Sequence, residues 1–402
     1  MKHPRVQISG FGFISPIGQE LDGFNENINA QRSAVKKQII EIPGQQPFAV
    51  PVAACDFDEK TYISPSKLPC DRATAMALHS LENALHNAQL DLNSIEKDRI
   101  GIFWGSGMAG ASSFDQTSNI IYSLHSRIRP TSVVTSMPNS PAAEIGLRTK
   151  AQGACITYAC ACASSSVAIG EGLRAIRGGW LDIAIVGGSE SMLTPGVLMA
   201  WNALRVMAPI KGNEIDSVVA FSKDRSGFAM GEGAAAFILE KENDKKIRKY
   251  FLSGYATNSD GHHMTNPQSE TQVKVMQSCL RDADLSVDDI GYINAHGTAT
   301  VVGDATEAKS IAALFKDTPV LVSSTKYLHG HLLGASGAVE LIACINALEQ
   351  QNLPSNSNEL IQDSDIPINL VNRDNQKVTG LLNVMSNSFA FGGTNASLIV
   401  SK

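Results

Sequence analysis

Hydrophobic and polar positions along the chain alternate between short apolar runs and segments whose apolar residues recur at helical spacing. The apolar runs are VQISGFGFI (6–14), IGIFWGSG (100–107), LDIAIVGG (181–188) and AAAFILEK (234–241). Helical spacing is found near 72–89 and near 166–177. Buried strands that alternate with helices are typical of βαβ units. The pattern therefore predicts an α/β fold in which helices cover a parallel sheet.

An internal similarity indicates that one α/β unit occurs twice. The stretch AQLDLNSIEKDRIGIFWGSG (88–107) resembles ADLSVDDIGYINAHGT (283–298), and each copy has the pattern of a helix end, a turn and a buried strand. The matched pairs, at one constant offset, are Ala88–Ala283, Leu90–Leu285, Leu92–Val287 and Ile95–Ile290. Chance similarity between two ordinary connections is the alternative. We favour a duplication, with the halves meeting in the charged segment EKENDKKIRK (240–249).

Composition and charge narrow the class of protein. The chain has 402 residues, of which 43% are hydrophobic, enough for a substantial core. Its formal net charge of −6 provides no overall basic field for nucleic acid or an anionic membrane. No apolar run reaches the ~18 residues of a spanning helix. Seven cysteines without a disulfide-like framework predict a reducing, cytoplasmic location.

Two cysteines lie where a strand-like segment passes into a helix, in ACITYACACASSSVAIGEGLRAIRGG (154–179). Cys162 falls at the predicted helix N-terminus, where the helix dipole favours a thiolate and lowers the thiol pKa. Cys160 falls within the predicted strand and lacks that effect. Cys162 is therefore the predicted reactive thiol, and the alternative is that both cysteines are small buried side chains.

Two histidines occupy similar small-residue turns. His296 lies in NAHGTAT (294–300), and His331 lies in STKYLHGHLLGASG (324–337). Together with Cys162 they predict a site with one nucleophile and two imidazoles that stabilise an oxyanion or transfer protons.

Metal and nucleotide sites are weaker interpretations of the same segments. Zinc sites use C-x₂-C spacing, which Cys155, Cys160 and Cys162 lack, and a His-x-His pair such as His329–His331 is poor evidence. None of the glycine-rich stretches has the dinucleotide or Walker pattern. We predict no metal at this site.

Four motifs in order along the chain resemble the β-ketoacyl-acyl-carrier-protein synthases of the elongating type I/II branch. They are ACASS (161–165), NAHGTAT followed by GD (294–304), SSTKYLHGHLLGASGAVE (323–340) and MSNSFAFGGTNASL (385–398). The resemblance covers nearly the whole chain. It implies a thiolase-like fold, five-layered αβαβα, with two duplicated halves at 1–246 and 247–402, usually paired as a dimer. It also implies a decarboxylative Claisen condensation of an acyl group with malonyl-acyl carrier protein.

The resemblance assigns roles to individual residues. Cys162 would accept the acyl group, His296 and His331 would promote decarboxylation, and Lys326 with its buried partner Glu340 would support them. The other implied roles are the gate at Phe391, an oxyanion hole from the N–H groups of Phe391 and Cys162, and substrate or phosphopantetheine contacts at Thr298, Thr300, Trp201 and Met108. Asn294, Ser386 and Asn387 match positions that hold a structural monovalent cation in some members.

The partner implied by the resemblance is an acyl carrier protein, which delivers its own phosphopantetheine, so no cofactor is predicted for the chain itself. Because carrier proteins are acidic, an acidic enzyme needs a local basic docking site. The candidates are Lys67, Arg72, Arg127, Arg129 and Arg205, with scattered surface charge as the alternative. The second subunit of the dimer would be another copy or a chain-length-factor-like chain.

Several positions depart from the usual pattern of housekeeping members. Thr131 and Ser132 stand where aromatic residues are common near the acyl pocket, His329 replaces a small hydroxylated residue, and Ala390 replaces a glycine. These changes favour a specialised pathway, polyketide-like or aryl-polyene-like, over housekeeping fatty-acid synthesis.

Three other functions remain open at the level of the sequence. A thiolase usually has a second catalytic cysteine near its C-terminus, whereas the last cysteine here is Cys344. A non-catalytic chain-length factor would lack the reactive cysteine, whereas Cys162 is present. A Cys/His hydrolase would release a free acid.

Overall fold

The computed structural model describes residues 4–64, 69–212, 214–215, 218–243, 248–318 and 320–402, with the backbone alone at 214–215. The predicted boundary between the halves, 246/247, lies outside these residues. The helices are α1 (Leu21–Asn29), α2 (Arg72–Ala88), α3 (Ala111–Tyr122), α4 (Ser132–Ser136), α5 (Ser140–Thr149), α6 (Ser164–Arg177), α7 (Pro195–Ala203), α8 (Ser269–Ala283), α9 (Val301–Leu314), α10 (Lys326–His329) and α11 (Ser336–Gln350).

The strands account for most of the predicted apolar runs. They are β1 (Val6–Ile14), β2 (Lys36–Ile40), β3 (Phe48–Ala53), β4 (Ile100–Gly105), β5 (Cys155–Tyr158), β6 (Ile183–Glu190), β7 (Ile210–Lys211), β8 (Glu214–Ile215), β9 (Met230–Gly231), β10 (Gly233–Lys241), β11 (Tyr250–Ser259), β12 (Tyr292–Asn294), β13 (Leu321–Ser323), β14 (Asn369–Leu370), β15 (Asn383–Phe389) and β16 (Thr394–Ser401).

The main sheet contains two groups of five strands with the same topology, and β14 is an additional strand at the edge of the second group. Its order in the described chain is β14-β13-β12-β15-β16-β11-β1-β10-β6-β4-β5. In both groups the spatial order is third, second, fourth, fifth, first strand, namely β5-β4-β6-β10-β1 and β13-β12-β15-β16-β11. A short antiparallel pairing of β1 with β11 joins the groups. This repeated topology agrees with the predicted duplication.

The sheet is mixed, so the prediction of a parallel sheet was only partly right. The pairs β4–β5, β4–β6, β12–β13 and β12–β15 are parallel, whereas β10 and β16 run antiparallel to both of their neighbours. The reason is clearest in the second half, where only residues 390–393 separate β15 from β16. Such a turn can join antiparallel strands, but a parallel crossover needs a dozen or more residues.

Helices form layers on both sides of each strand group. The helices α6 and α11 pack on each other and on strands of both groups, so they form the central layer. On the outer faces, α2 and α5 cover the first group and α8 covers the second, with α9 packed on α8. The result is the αβαβα arrangement. None of the described helices has the length and apolar character needed to cross a membrane.

The two similar sequence stretches adopt the same local structure in corresponding places. The helices α2 and α8 end at Gln89 and Asp284, which have left-handed φ values of +48° and +58°. A 3₁₀ turn follows in each case, and the chain then enters β4 or β12, the second strand of its group. The internal similarity therefore marks one repeated helix–turn–strand unit.

Candidate active site

Cys162 lies in a tight turn between β5 and α6. The strand ends at Tyr158, and a 3₁₀ turn at Ala161–Ala163 leads into the helix, with Ala161 at a φ of +47°. Cys160 therefore lies beyond the strand, contrary to the prediction, and its N–H donates to Ser164 Oγ at 2.9 Å. A Cβ on Gly105 would overlap the backbone of Ser164 and Ser165, so glycine allows the helix start to approach β4.

The predicted lowering of the Cys162 pKa is wrong. Burial raises the pKa of the Cys162 thiol to about 12, although the charge of Lys326 and the N–H groups of Phe391 and Cys162 partly oppose this effect. The loss of solvation raises the thiol pKa more than the helix N-terminus lowers it, because the side chain is almost fully enclosed. The resting thiol is therefore protonated and needs a base to become a nucleophile.

The structure brings the two predicted histidines to this thiol. His331 Nε2 lies 3.0 Å from Cys162 Sγ, and the centroids of the His296 and His331 rings are 5.4 Å apart at an interplanar angle of 82°. Burial, reinforced by the charge of Lys326, places the pKa of each imidazole well below its ordinary value. Both rings are therefore neutral. His331 Nδ1 lies 2.9 Å from Ser336 Oγ, a contact that the sequence analysis missed.

Buried polar and charged side chains form hydrogen bonds with the backbone around His296. Lys326 Nζ pairs with Glu340 and also donates to the carbonyl oxygen of His296 at 2.5 Å. The two side-chain oxygens of Glu307 accept the N–H groups of His296 and Gly297, each at 2.8 Å. Burial raises the Glu307 pKa to about 8. The sequence analysis missed Glu307. The feature that could have identified it is a pair of acidic residues three positions apart, Asp304 and Glu307, on the buried face of α9.

Two arrangements of ligand atoms bear on bound ions. Cys162, His296 and His331 each offer an atom within 4.8 Å of the others, a spacing that also admits a metal ion, and the absence of one stays a prediction. Asn294 Oδ1 and Glu340 Oε2 are buried without a hydrogen-bond partner among the described residues, and Ser386 is the register partner of Asn294. These oxygens suit the predicted monovalent cation, although the Asn387 side-chain oxygen is already bonded to Ser397.

A cavity of about 330 Å³ opens onto the three reactive side chains. Thr298, Thr300, Trp201 and Phe391 line it as predicted. The Phe391 ring stacks on Trp201 with 6.3 Å between centroids, and the hydroxyl oxygens of the two threonines are 3.0 Å apart. Met108 does not line this cavity. Its side chain is 45% exposed, and its N–H donates to Glu190.

The predicted docking residues differ in their environments. Arg127 and Arg129 are exposed, Arg205 lies at the cavity, and Lys67 lies outside the described residues. The prediction that Arg72 binds the carrier needs correction, because all five of its side-chain N–H groups already donate hydrogen bonds within the chain. They bind Glu232, Glu59 and the carbonyl oxygens of Cys55 and Phe57. This arginine therefore connects α2 with the segments around residues 55–59 and 232.

Two of the departures noted in the sequence have a structural explanation. His329 is fully buried, with Nδ1 2.8 Å from the carbonyl oxygen of Gly330 and Nε2 2.8 Å from Thr325 Oγ1. It therefore stabilises the turn that leads to His331. Ala390 lies in the turn before Phe391 and packs against the apolar cluster that includes Cys162.

Comparison with known proteins relates the chain to a family. The chain matches the model for the β-ketoacyl synthase N-terminal domain over residues 3–245 and the model for the C-terminal domain over residues 251–359. It is 30% identical to 3-oxoacyl-[acyl-carrier-protein] synthase 2 of Staphylococcus aureus, covering 100% of this chain and 99% of the relative. It is 31% identical to nodulation protein E of Rhizobium leguminosarum bv. trifolii, covering 98% of each.

Solved structures give the same fold. A β-ketoacyl synthase from Burkholderia phymatum STM815 has a TM-score of 0.86 at 28% identity, covering 99% of both chains. The ketosynthase ApeO, in complex with its chain length factor ApeC from Xenorhabdus doucetiae, has a TM-score of 0.84 at 26% identity, covering 99% of this chain and 98% of that chain. The ishigamide ketosynthase/chain length factor has a TM-score of 0.86 at 26% identity, covering 100% and 99%.

Proposed function

The chain belongs to the β-ketoacyl synthase family, and from that premise we propose how its own residues carry out the reaction. It is an acyltransferase that condenses an acyl group with malonyl-acyl carrier protein, with loss of CO₂, in fatty-acid or polyketide synthesis. The observation that carries the residue assignment is the contact of 3.0 Å between Cys162 Sγ and His331 Nε2 at the base of the cavity.

In the loading step, Cys162 Sγ attacks the thioester carbon of the acyl carrier while its proton moves to His331 Nε2. The N–H groups of Phe391 and Cys162 both face Sγ, so they are placed to bind the carbonyl oxygen as it becomes negative. Loss of one such donor typically costs about 3 kcal/mol of transition-state stabilisation. The proton then passes to the departing pantetheine sulfur.

In the condensation step, malonyl carrier loses CO₂ and the resulting enolate carbon attacks the acyl-Cys162 carbonyl. The new carbon–carbon bond forms as the bond between that carbon and Sγ breaks, and the Cys162 thiolate leaves and takes up a proton. His296 and His331 stabilise the enolate oxygen by hydrogen bonds, and at this step the neutral His331 ring carries its hydrogen on Nε2 while Nδ1 accepts from the Ser336 hydroxyl. Neutral imidazoles suit this role better than cations because they avoid protonating the carbon. Lys326 and Glu340 support this pair through the His296 carbonyl. The scheme uses no cofactor held by this chain, since phosphopantetheine arrives on the carrier.

The carrier would dock at the mouth of the cavity. Thr298, Thr300 and Trp201 line the path for the pantetheine arm, with Phe391 as its gate. Arg205 lies at that mouth, and Arg127 and Arg129 are free to bind acidic groups on the carrier surface.

The described surface supports a dimer built on the edge strand β5. Ile156 of this strand is 43% exposed, and the contiguous helices α3 to α5 expose Phe114 (65%) and Val133 (70%). An open strand edge beside apolar side chains favours a second chain at this face. We propose another copy, in the cytoplasm, with a chain-length-factor-like chain as the alternative. The departures from the housekeeping pattern at Thr131, Ser132 and Ala390, together with the similarity to ketosynthases that have a chain length factor, support our proposal of a specialised, polyketide-like or aryl-polyene-like pathway.

Acyl loading tests the proposed function directly. The protein is incubated with a panel of acyl-carrier thioesters of different lengths, and its intact mass is recorded for the native chain, Cys162→Ala and Cys160→Ala. We expect acyl adducts on the native chain and on Cys160→Ala but not on Cys162→Ala, and discharge as an elongated thioester after malonyl carrier is added. Equal loading of Cys162→Ala, or release of free acid without elongation, would contradict the proposal.

A further inference from the structure

Two contacts hold the His331 ring from opposite sides. Its Nε2 lies 3.0 Å from Cys162 Sγ, and its Nδ1 lies 2.9 Å from Ser336 Oγ. Both His331 and Ser336 are buried. A nucleophile beside a base that is itself oriented by a third group is the arrangement of a catalytic triad.

Rigid elements set the distance between Ser336 and Cys162. Ser336 is the first residue of α11, and the N–H of Ala338 in the same helix donates to Ser165 Oγ in α6 at 3.0 Å. A Cβ on Gly337 would overlap Ser166 Oγ, so the two helix starts pack directly on each other. A site carried by packed helices keeps its geometry better than one carried by loops.

The protonation states define what the Ser336 hydroxyl does. Burial keeps the Cys162 thiol protonated and the His331 imidazole neutral, with Lys326, Glu340, His296 and His329 as the other titratable groups nearby. The thiol S–H then donates to Nε2, so the ring hydrogen is on Nδ1 and is donated to Ser336 Oγ. When Sγ attacks the thioester, its proton moves to Nε2, and Ser336 still accepts from Nδ1–H of the imidazolium.

We propose that Ser336 is a positioning residue, the third member of a Cys162–His331–Ser336 triad that orients His331 for acyl loading. This inference rests on the proposed role of Cys162 as the acyl acceptor. Without the hydroxyl, the buried Nδ1–H of His331 loses its acceptor, both in the resting ring and in the imidazolium.

Kinetics of Ser336→Ala test the triad. We expect acyl loading to slow by about 5- to 100-fold. Alkylation of Cys162 by iodoacetamide at neutral pH, followed by mass spectrometry, should slow by a similar factor, because transfer of the thiol proton to His331 becomes less favourable. The matched control is Ser166→Ala, which removes a buried hydroxyl that pairs with Ser388 Oγ at 2.8 Å.

A second measurement is made on the native protein, and a variant is used only to assign the His331 signals. In ¹⁵N spectra of the histidine-labelled native protein, with His331 assigned by the loss of its signals in His331→Asn, we expect the hydrogen on Nδ1. An Nε2–H form would overturn the triad. Unchanged loading and alkylation rates in Ser336→Ala, or an equal loss in Ser166→Ala, would also overturn it. Failure of the native chain to load any thioester would overturn the proposed function instead, while the alkylation and ¹⁵N results would still test the triad.

Discussion

Lys326 and Glu340 form an ion pair that is almost completely removed from solvent. Burial raises the pKa of the Glu340 carboxyl, and the charge of Lys326 opposes that effect. Removing both charges from water costs free energy, which their mutual attraction offsets. Each charge is therefore stabilised by its partner more than a surface ion is.

Removal of Lys326 alone should therefore be costly. We expect Lys326→Met to lower the free energy of unfolding by about 3–5 kcal/mol, because a buried carboxylate loses its counter-ion. Arg32→Ala, which breaks the exposed pair Arg32–Glu26, should cost less than about 1 kcal/mol. Urea unfolding at neutral pH measures both, and similar losses for the two variants would count against the coupling.

His329 makes stability depend on pH. Burial, followed by the charge of Lys326, lowers its pKa to about 3, so the folded state keeps it neutral while the unfolded chain takes up a proton below about pH 6.5. Its contribution is present above the unfolded pKa and is lost as the pH falls. Between about pH 6.5 and 5 the loss should be about 2 kcal/mol.

Urea unfolding at several pH values tests this assignment. We expect His329→Ser to have a shallower fall in stability below pH 6.5 than the native chain, whereas His125→Asn, at an exposed position, keeps the native slope. A native slope in His329→Ser would show that other groups take up the proton.

At the scale of elements, the start of α6 is set by its approach to β4. Gly105 ends β4, and the backbone of Ser164 and Ser165 occupies the space that a side chain would need. Since Cys162 immediately precedes this helix start, the strand end determines where the thiol lies relative to His331.

Gly105→Ala should therefore impair both folding and loading. We expect a loss of about 1–3 kcal/mol in the free energy of unfolding from overpacking, and a loading rate about 10- to 100-fold lower from displacement of Cys162. The control is Gly146→Ala inside α5, where the nearest atom, Ile102 Cδ1, would be 3.5 Å from the new Cβ. That variant should load normally and be up to about 1 kcal/mol more stable. Normal loading by Gly105→Ala would contradict the argument.

At the scale of the whole molecule, the exposed edge of β5 and the apolar helices beside it predict a specific dimer face. We expect Ile156→Asp to convert a dimer into a monomer, because a charge would be buried at the strand edge. Leu382→Asp, an exposed apolar position next to β15 in the other half, should leave the dimer intact. Light scattering after size-exclusion chromatography gives the masses. A native chain that is monomeric, or a dimer that persists in Ile156→Asp, would contradict the proposal that this face forms the dimer interface. A dimer that forms only after coexpression with a second chain of the same fold would favour the heterodimer.

Local patterns in the sequence were enough to predict the main helices and strands and the types of reactive side chain. The boundaries of β1 and α2 follow from short-range periodicity, and the repeat at 88–107 and 283–298 indicated a duplication that the strand order confirms. Cys162, His296 and His331 could be singled out because each lies in a small-residue turn beside a strand or helix. These features depend on residues a few positions apart, which a sequence displays directly.

Only the tertiary structure decided how those groups behave. Cys162 and His331 are 169 residues apart, and the depth at which they are buried reversed the expected direction of the Cys162 pKa. The contact of Arg72 with Glu232 likewise joins residues that are 160 positions apart. Ser336 is only five residues from His331, but their contact depends on how the chain turns between α10 and α11, which no periodic pattern predicts. Solvation and hydrogen bonding depend on what surrounds a group in space, and chain folding brings those surroundings together.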